Sequence, residues 1–137
     1  MDGLTQMMKD AAVLFDSLNN LHSLTPEEVV LLKDEDAYVK DDGTIGIRSV
    51  KIGRKTNFRF AVRCYVKVFG FKFDLDVNTA GWQSFLGAEK IRDKIVHPKS
   101  VKDLQPSDDD MELVVNAMSY FMDQTKPLLQ LSKRQNA

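Results

Sequence analysis

The chain has 137 residues, of which 43% are apolar and 28% are charged. This length suits one compact domain and excludes a two-domain enzyme, and the composition excludes a disordered chain and a disulfide-stapled miniprotein. The net charge of -1 excludes a uniformly basic nucleic-acid binder. That small value is a cancellation, because residues 43–73 carry eight basic and no acidic side chains while the remainder carries eleven basic and twenty acidic ones. The asymmetry indicates either a partner for the basic segment or an ionic match within the chain.

Helical patterns are predicted for the first part of the chain. Apolar residues at three- and four-residue spacing indicate an amphipathic helix over residues 4–22. The run Thr25-Pro26-Glu27-Glu28 has the spacing of a capping box and predicts a second, short helix with Thr25 as its N-cap. These two N-terminal helices are assigned to residues 1–35.

Residues 37–77 are predicted to form β-structure inserted before the next helix. Asp41-Asp42-Gly43 is a turn signal, residues 45–52 form a β-branched run, and residues 53–57 suit a hairpin loop. A small antiparallel sheet of two or three strands is therefore expected here.

The third part of this sheet is predicted from strict alternation. Apolar and polar residues alternate over residues 58–68, as in a half-buried antiparallel strand. The alternation changes phase at Gly70, which indicates either a β-bulge or a tight turn between two strands. The phenylalanines that follow the buried period are expected in the core: Phe58, Phe60, Phe69, Phe71 and Phe73.

A major helix is predicted over residues 80–96. Asn78 or Thr79 supplies its N-cap, and Pro98 ends it because proline disfavours helical geometry in the residue before it. This helix carries Arg92 and Asp93 and ends just before His97.

The last helix is predicted to begin at Ser107, which precedes three aspartates at the positive end of the helix dipole. Pro127 is expected to kink or stop it, and residues 132–137 form a polar tail. Its buried stripe is predicted to consist of Met111, Leu113, Val114, Val115, Ala117, Met118, Phe121 and Met122. The predicted fold is thus a single α+β domain, a bundle of about four helices with a small sheet. Its segments are residues 1–35, 37–77, 78–131 and 132–137.

The main candidate for acid-base chemistry is His97, at the end of the predicted helix. Asp93 lies four residues earlier, so its carboxylate is expected on the same side, where it would orient the imidazole. A structural alternative is that His97 simply ends the helix while Arg92 pairs with an acid of a neighbouring helix. The other histidine, His22, has no evident partner in the sequence.

Four residues separate Arg92 from His97, and Asp93 directly follows the arginine. This pattern resembles the signature of the HEPN superfamily of helical domains. The order of motif helix, loop 98–106 and capped helix is similar to that family's core helix pair, and the resemblance covers residues 78–125. It implies a metal-independent endoribonuclease of toxin or defence type, with its site at a homodimer interface. The inserted β-structure departs from the family, whose members are largely helical bundles.

The resemblance also implies a role for each motif residue. His97 would act as general base or acid on a ribose 2′-hydroxyl, Arg92 would stabilise charge on the scissile phosphate, and Asp93 would orient or polarise. No metal and no cofactor is expected, because the 2′-hydroxyl is an internal nucleophile. The alternative function is a non-catalytic HEPN-like module for dimerisation, protein interaction or RNA binding. An antitoxin is the protein partner that the toxin interpretation implies.

The basic segment suggests where RNA would bind. Arg59, Arg63 and Lys67 share one face of the predicted strand, and Tyr65 on that face would stack on a base. Lys99, just beyond the motif, completes the predicted RNA-binding set. The alternative is that these side chains are the solvated outer face of the strand.

The single cysteine, Cys64, excludes an intrachain disulfide and fits a reducing compartment. The first residues lack the basic and apolar segments of a secretory signal, and no stretch approaches the roughly 20 apolar residues of a membrane span. The sequence therefore predicts a soluble, cytoplasmic protein without membrane association.

Overall fold

The structure is a computed structural model that describes residues 2–135, with side chains described for residues 2–128 and 130. The chain forms two compact units, and the boundary in the sequence lies between Asp74 and Leu75. The N-terminal unit contains α1 (Asp2–Leu18), α2 (Pro26–Leu32), β1 (Glu35–Val39), β2 (Ile45–Ser49) and α3 (Arg54–Phe69). The C-terminal unit contains α4 (Ala80–Val96), a 3-10 turn (Val101–Leu104) and α5 (Asp108–Gln135). A mostly helical α+β fold with a small antiparallel sheet is confirmed, whereas the single domain stays a prediction.

The two predicted N-terminal helices are present. α1 ends at Leu18, four residues before the predicted end, and Asn20 and His22 beyond it have positive φ angles of 49° and 53°. The capping box of α2 is confirmed, because the Glu28 amide donates to Thr25 Oγ1 (3.2 Å) and the Thr25 amide donates to Glu28 Oε1 (3.0 Å). Reciprocal capping satisfies two amides that a short helix leaves unpaired.

Strands β1 and β2 form an antiparallel hairpin around the predicted turn. Their register pairs Glu35 with Ser49 and Val39 with Ile45. Gly43 takes a φ of +82°, and Asp42 Oδ1 accepts hydrogen bonds from the Thr44 amide and hydroxyl. The turn signal Asp41-Asp42-Gly43 is therefore confirmed in the position that the sequence indicates.

The predicted strand over residues 58–68 is wrong: these residues lie in α3, a helix of 16 residues. The buried side chains of α3 follow three- and four-residue spacing, namely Phe58, Ala61, Val62, Cys64, Tyr65 and Val68. The alternating residues are therefore only part of the buried stripe. Ala61 and Tyr65 also belong to it, and with them the spacing is that of a helix. The β insertion accordingly ends at Ser49, and residues 53–57 begin α3 instead of forming a hairpin loop.

Gly70 ends α3, so the predicted bulge or strand turn at this position is also wrong. Its φ of +69° is the left-handed conformation typical of a helix C-terminus, and the Phe71 amide donates to the Val66 carbonyl (3.0 Å). Among the phenylalanines expected in the core, Phe58 is buried and the other four are half-buried. The ring of Phe69 stacks on Phe15 of α1 with centroids 4.4 Å apart.

Helix α4 has the predicted bounds, with Thr79 as its N-cap: the Trp82 amide donates to Thr79 Oγ1 (3.4 Å). It packs closely on α5 because two glycines leave room for side chains of that helix. A Cβ atom on Gly87 would lie 2.6 Å from Leu113 Cδ2, and one on Gly81 would lie 2.6 Å from Tyr120 Cδ2. Close helix contact thus positions the C-terminal end of α4, where the candidate site lies.

Helix α5 begins as predicted, because Ser107 and Asp110 exchange hydrogen bonds of 3.1 Å between side chain and backbone amide. It does not stop at Pro127 but continues to Gln135, and Leu128 beside the proline is buried. Proline removes one backbone donor, and α5 nevertheless stays helical beyond it. The predicted tail 132–137 is helical through Gln135, and residues 136 and 137 lie outside the described residues.

Candidate functional site

Four polar residues form one face at the C-terminal end of α4. Lys90, Asp93, Lys94 and His97 follow the spacing i, i+3, i+4 and i+7, which places residues on one side of an α-helix. All four line an open depression of about 530 Å³. Asp93 and His97 therefore face the same surface feature, as their four-residue spacing predicts.

His97 lies where the helix ends. Its backbone amide donates to the Asp93 carbonyl (2.9 Å), its ψ of 64° leaves helical geometry, and Pro98 follows. The residue is exposed to solvent. The imidazole is the side chain that most readily exchanges a proton near neutral pH, so a group with acid-base capacity borders the depression.

The loop after α4 adds a second wall to the depression. Asp103 Oδ2 accepts hydrogen bonds from the amides of Lys99 (2.8 Å) and Ser100 (3.2 Å) as part of the capping box that begins the 3-10 turn. Lys99 and Asp103 both line the depression. The predicted RNA-binding residue Lys99 thus shares one surface with His97.

Arg92 lies beside this face. Its Nη1 atom is 3.2 Å from Asp93 Oδ1, and both side chains are about half exposed. Successive residues are about 100° apart around a helix, so Arg92 lies about 140° from His97. Among the residues that the structure describes, the depression is lined by Lys90, Asp93, Lys94, His97, Lys99 and Asp103, without Arg92.

The depression is cationic. Three lysines face two carboxylates, and both carboxylates have other partners, since Asp93 binds Arg92 and Asp103 accepts from two backbone amides. A surface of this kind favours an anionic group with several oxygens, such as a phosphate. Within residues 2–135, no group of three or more His, Cys, Asp or Glu side chains is arranged to hold a metal ion.

The other predicted RNA-binding residues lie in the N-terminal unit. On α3, Arg59, Arg63 and Lys67 are spaced by four residues, so they share an exposed helix face as they would have shared a strand face. Lys67 Nζ forms an ion pair with Glu28 Oε1 at 2.6 Å. The prediction that Tyr65 shares this face is wrong: it is only 4% exposed and lies in the core, because the segment is helical.

The ion pair of Glu28 adjoins the single cysteine. Cys64 Sγ donates to Glu28 Oε2 (3.6 Å), and Cys64 is fully buried. Burial, followed by the charge of Glu28, raises the pKa of the Cys64 thiol from 9.0 to about 12. Burial also opposes ionisation of Glu28, but hydrogen bonds from Lys67 and from the Thr25 amide outweigh it and lower the pKa of that carboxyl.

The raised pKa of Cys64 predicts a loss of stability in alkali. The unfolded thiol ionises through pH 9.0 while the folded thiol stays protonated to about pH 12, so the contribution is complete below pH 9.0 and declines above it. Between pH 8 and pH 10 we expect the free energy of unfolding to fall by about 1.4 kcal/mol on this account. Urea denaturation of the wild type and of Cys64→Ser, which does not ionise, measures the difference. An equal fall in both proteins would contradict the prediction.

Sequence reasoning missed Lys90, Lys94 and Asp103. The first two carry a signal, because they lie seven and three residues before His97 and so near its helix face. Asp103 is signalled only as the third residue after Ser100, the spacing of a capping box. Its place in the depression depends on how the loop folds.

No family model, no curated protein and no solved structure matches the chain. Among the described residues, no helix combines the length and the apolar character needed to cross a membrane.

Proposed function

We propose that the depression at the end of α4 binds the RNA backbone and cleaves it without a metal, in the manner that the HEPN resemblance implies. The observation that supports this most directly is the exposed His97 beside three lysines in one open, cationic depression. A proton-exchanging group next to a phosphate-binding surface is what transesterification of RNA requires.

The proposed reaction is intramolecular. His97 takes the proton of a ribose 2′-hydroxyl, whose oxygen attacks the adjacent phosphorus while the bond from phosphorus to the 5′-oxygen breaks. The leaving 5′-oxygen takes a proton from water, and His97 returns the proton that it took to the resulting hydroxide, so the products are a 2′,3′-cyclic phosphate and a 5′-hydroxyl. The ammonium groups of Lys90, Lys94 and Lys99 stabilise the charge that develops on the phosphate.

Arg92 and Asp93 take part in different ways. Asp93 faces the depression with His97, and we assign it to orienting or polarising the imidazole. Arg92 pairs with Asp93 outside the depression lining, so we assign its guanidinium to charge on the scissile phosphate or on the next phosphate of the strand. The homodimer, the antitoxin partner and the cytoplasmic location belong to the same proposal.

The decisive experiment is cleavage of a mixed-sequence RNA by the full chain in the presence of EDTA. We expect products with 2′,3′-cyclic phosphate and 5′-hydroxyl ends, and no cut at a position where a 2′-deoxynucleotide replaces the target. Arg92→Ala is expected to slow the cleavage. RNA that stays intact at high protein concentration, or cleavage that EDTA abolishes, would refute the proposal.

A non-catalytic RNA-binding or interaction module is the second candidate. The position of Arg92 favours it, because a cationic depression without that guanidinium holds an anion but lacks one implied catalytic group. Three lysine–phosphate contacts predict a slope of about -2 in log affinity against log salt for single-stranded RNA. Binding with that slope and no cleavage would establish this second function. Substitution Lys94→Ala should then reduce the slope by about 0.7, whereas Lys33→Ala, at an exposed lysine that ends α2, serves as a control.

A further inference from the structure

Helix α5 has two apolar faces, although the sequence pattern suggests one. The first face is buried and includes Ala117, Tyr120 and Leu128. Four residues that were predicted to be buried lie instead on an exposed second face. This outer stripe consists of Met111, Val115, Met118 and Met122, which are 50%, 58%, 60% and 64% exposed.

The outer stripe has the spacing of a coiled-coil seam. Its members are separated by four, three and four residues, which corresponds to alternating d and a positions of a heptad. They span about 16 Å along the helix and stay within about 60° around it. Contiguous apolar stripes of this kind mark interaction surfaces in proteins that are otherwise soluble domains.

The polar residues beside the outer stripe repeat every seven positions. Glu112, Ser119 and Lys126 occupy successive e positions on its exposed flank, with one acidic, one neutral and one basic side chain. The sequence of charges therefore runs from negative to positive along the flank. Such a flank is complementary to itself when it is reversed.

We propose that the outer stripe of α5 pairs antiparallel with the outer stripe of a second copy of this chain. In this arrangement Met111 opposes Met122 of the second copy, and Val115 opposes Met118. The e positions then bring Glu112 beside Lys126 of the second copy twice, and Ser119 lies beside its own counterpart at the two-fold axis.

A parallel pair would lack this complementarity. It would place Asp108, at the a position one turn before Met111, beside its own copy and align the two acidic helix starts. In a parallel pair, Glu112 would face Ser107 of the second copy and Lys126 would face Phe121 of the second copy. Neither of these residues carries a charge that matches its partner. Antiparallel pairing also sets the two helix dipoles head to tail.

This surface rests on the proposed homodimer and assigns its contact face and orientation. The contact face is the outer stripe of α5, whereas the resemblance implies an interface at the motif itself. The pairing involves α5 alone, so it is measured without RNA and its failure is distinct from failure of the ribonuclease proposal. The depression on α4 and the outer stripe on α5 use different residues, which allows separate variants.

Sedimentation equilibrium of the full chain tests the pairing. We expect a dimer that Met118→Glu weakens by at least tenfold, since a carboxylate would enter the apolar seam. Asn116→Glu adds the same charge at an exposed position off the stripe and should leave the dimer unchanged. A monomeric wild type, or a dimer that Met118→Glu does not weaken, would overturn the proposal. A monomeric wild type would also indicate that a different protein covers the outer stripe.

A charge exchange tests the orientation. Glu112→Lys and Lys126→Glu are each expected to weaken the dimer about tenfold, because each creates two repulsive pairs in place of two attractive ones. The double variant restores both pairs and should recover the wild-type dissociation constant. Failure of the double variant to recover would refute the antiparallel register.

A cross-link at the axis gives an independent measure. Ser119→Cys should be cross-linked between copies by a short bis-maleimide, which spans flank positions that are too far apart for a disulfide, whereas Asn116→Cys should not, since only position 119 lies beside its own copy. The native Cys64 is buried and does not compete. Equal cross-linking of both variants would contradict the register.

Discussion

Substitution His97→Ala is expected to reduce the rate constant of RNA cleavage by about 10²–10⁴, the contribution typical of a general acid-base group. The effect should fall on kcat, because the lysines that line the depression remain in place to hold the backbone. His97→Gln keeps a polar side chain of similar size but cannot take the proton, so it should be equally impaired. Stability should stay unchanged within about 0.5 kcal/mol, since His97 is exposed.

The other histidine provides a matched control. His22 is exposed in the connection between α1 and α2, and its positive φ of 53° suits asparagine better than alanine. His22→Asn should cleave RNA at the wild-type rate. If His97→Ala keeps more than half of the activity, or if only its RNA affinity falls, the acid-base role of His97 is disproved.

The alternation over residues 58–68 shows why one part of the fold was mispredicted. Phe58, Val62 and other apolar residues occur at even spacing, but Ala61 and Tyr65 complete a helical stripe over the same positions. The two-residue period of a strand and the period of a helix both fit these apolar residues, and the β-branched valines favour the strand alternative. Tertiary packing resolves the ambiguity, because the helix buries Tyr65 as well as the alternating residues.

Helix α4 was predicted correctly because its limits have strong local causes. Thr79 accepts from the third helical amide, and Pro98 prevents the preceding residue from staying helical. The shared face of Asp93 and His97 follows from helix geometry once those limits are known. Participation of Asp103 does not, because the loop that carries it is shaped by hydrogen bonds to the Lys99 and Ser100 amides.

Part of the basic segment forms ion pairs with acidic residues of the same chain. An ionic match within the chain was one of the two explanations that the uneven charge suggested. Arg54 pairs with Asp2 at 2.9 Å, Lys67 pairs with Glu28 at 2.6 Å, and Arg48 lies 3.3 Å from Asp36. All these acids belong to elements of the N-terminal unit. Exposed pairs contribute little to stability, so they lower the local charge more than they hold the fold together.

One ion pair of the N-terminal unit is different, because its lysine is fully buried. Lys9 Nζ lies 2.6 Å from Asp34 Oδ1 and 3.1 Å from Asn57 Oδ1, and the lysine side chain has no exposed surface. The three residues come from α1, the connection between α2 and β1, and α3. A single ammonium group therefore joins three parts of the unit, which residue types alone do not reveal, since lysine is ordinarily exposed.

Substitution Lys9→Ala is expected to lower the free energy of unfolding by about 3 kcal/mol. It removes three buried methylene groups and leaves the Asn57 carbonyl and the Asp34 carboxylate without this donor. Asp34 is 45% exposed, so water compensates part of the loss and the cost stays below that of an entirely buried pair. Lys9→Met, which keeps the apolar volume, should lose about 2 kcal/mol through the polar term alone.

Urea denaturation followed by circular dichroism measures these free energies of unfolding. The control is Lys33→Ala, because Lys33 is an exposed lysine at the end of α2. Its free energy of unfolding should lie within about 0.5 kcal/mol of the wild-type value. The order Lys33→Ala, Lys9→Met, Lys9→Ala in increasing cost separates charge from volume. A cost of Lys9→Ala equal to that of Lys33→Ala would show that the buried ammonium does not hold α1 to α3. If Lys9→Met instead matched the wild type, packing of the aliphatic stem would carry the whole contribution, because the apolar replacement preserves only that part.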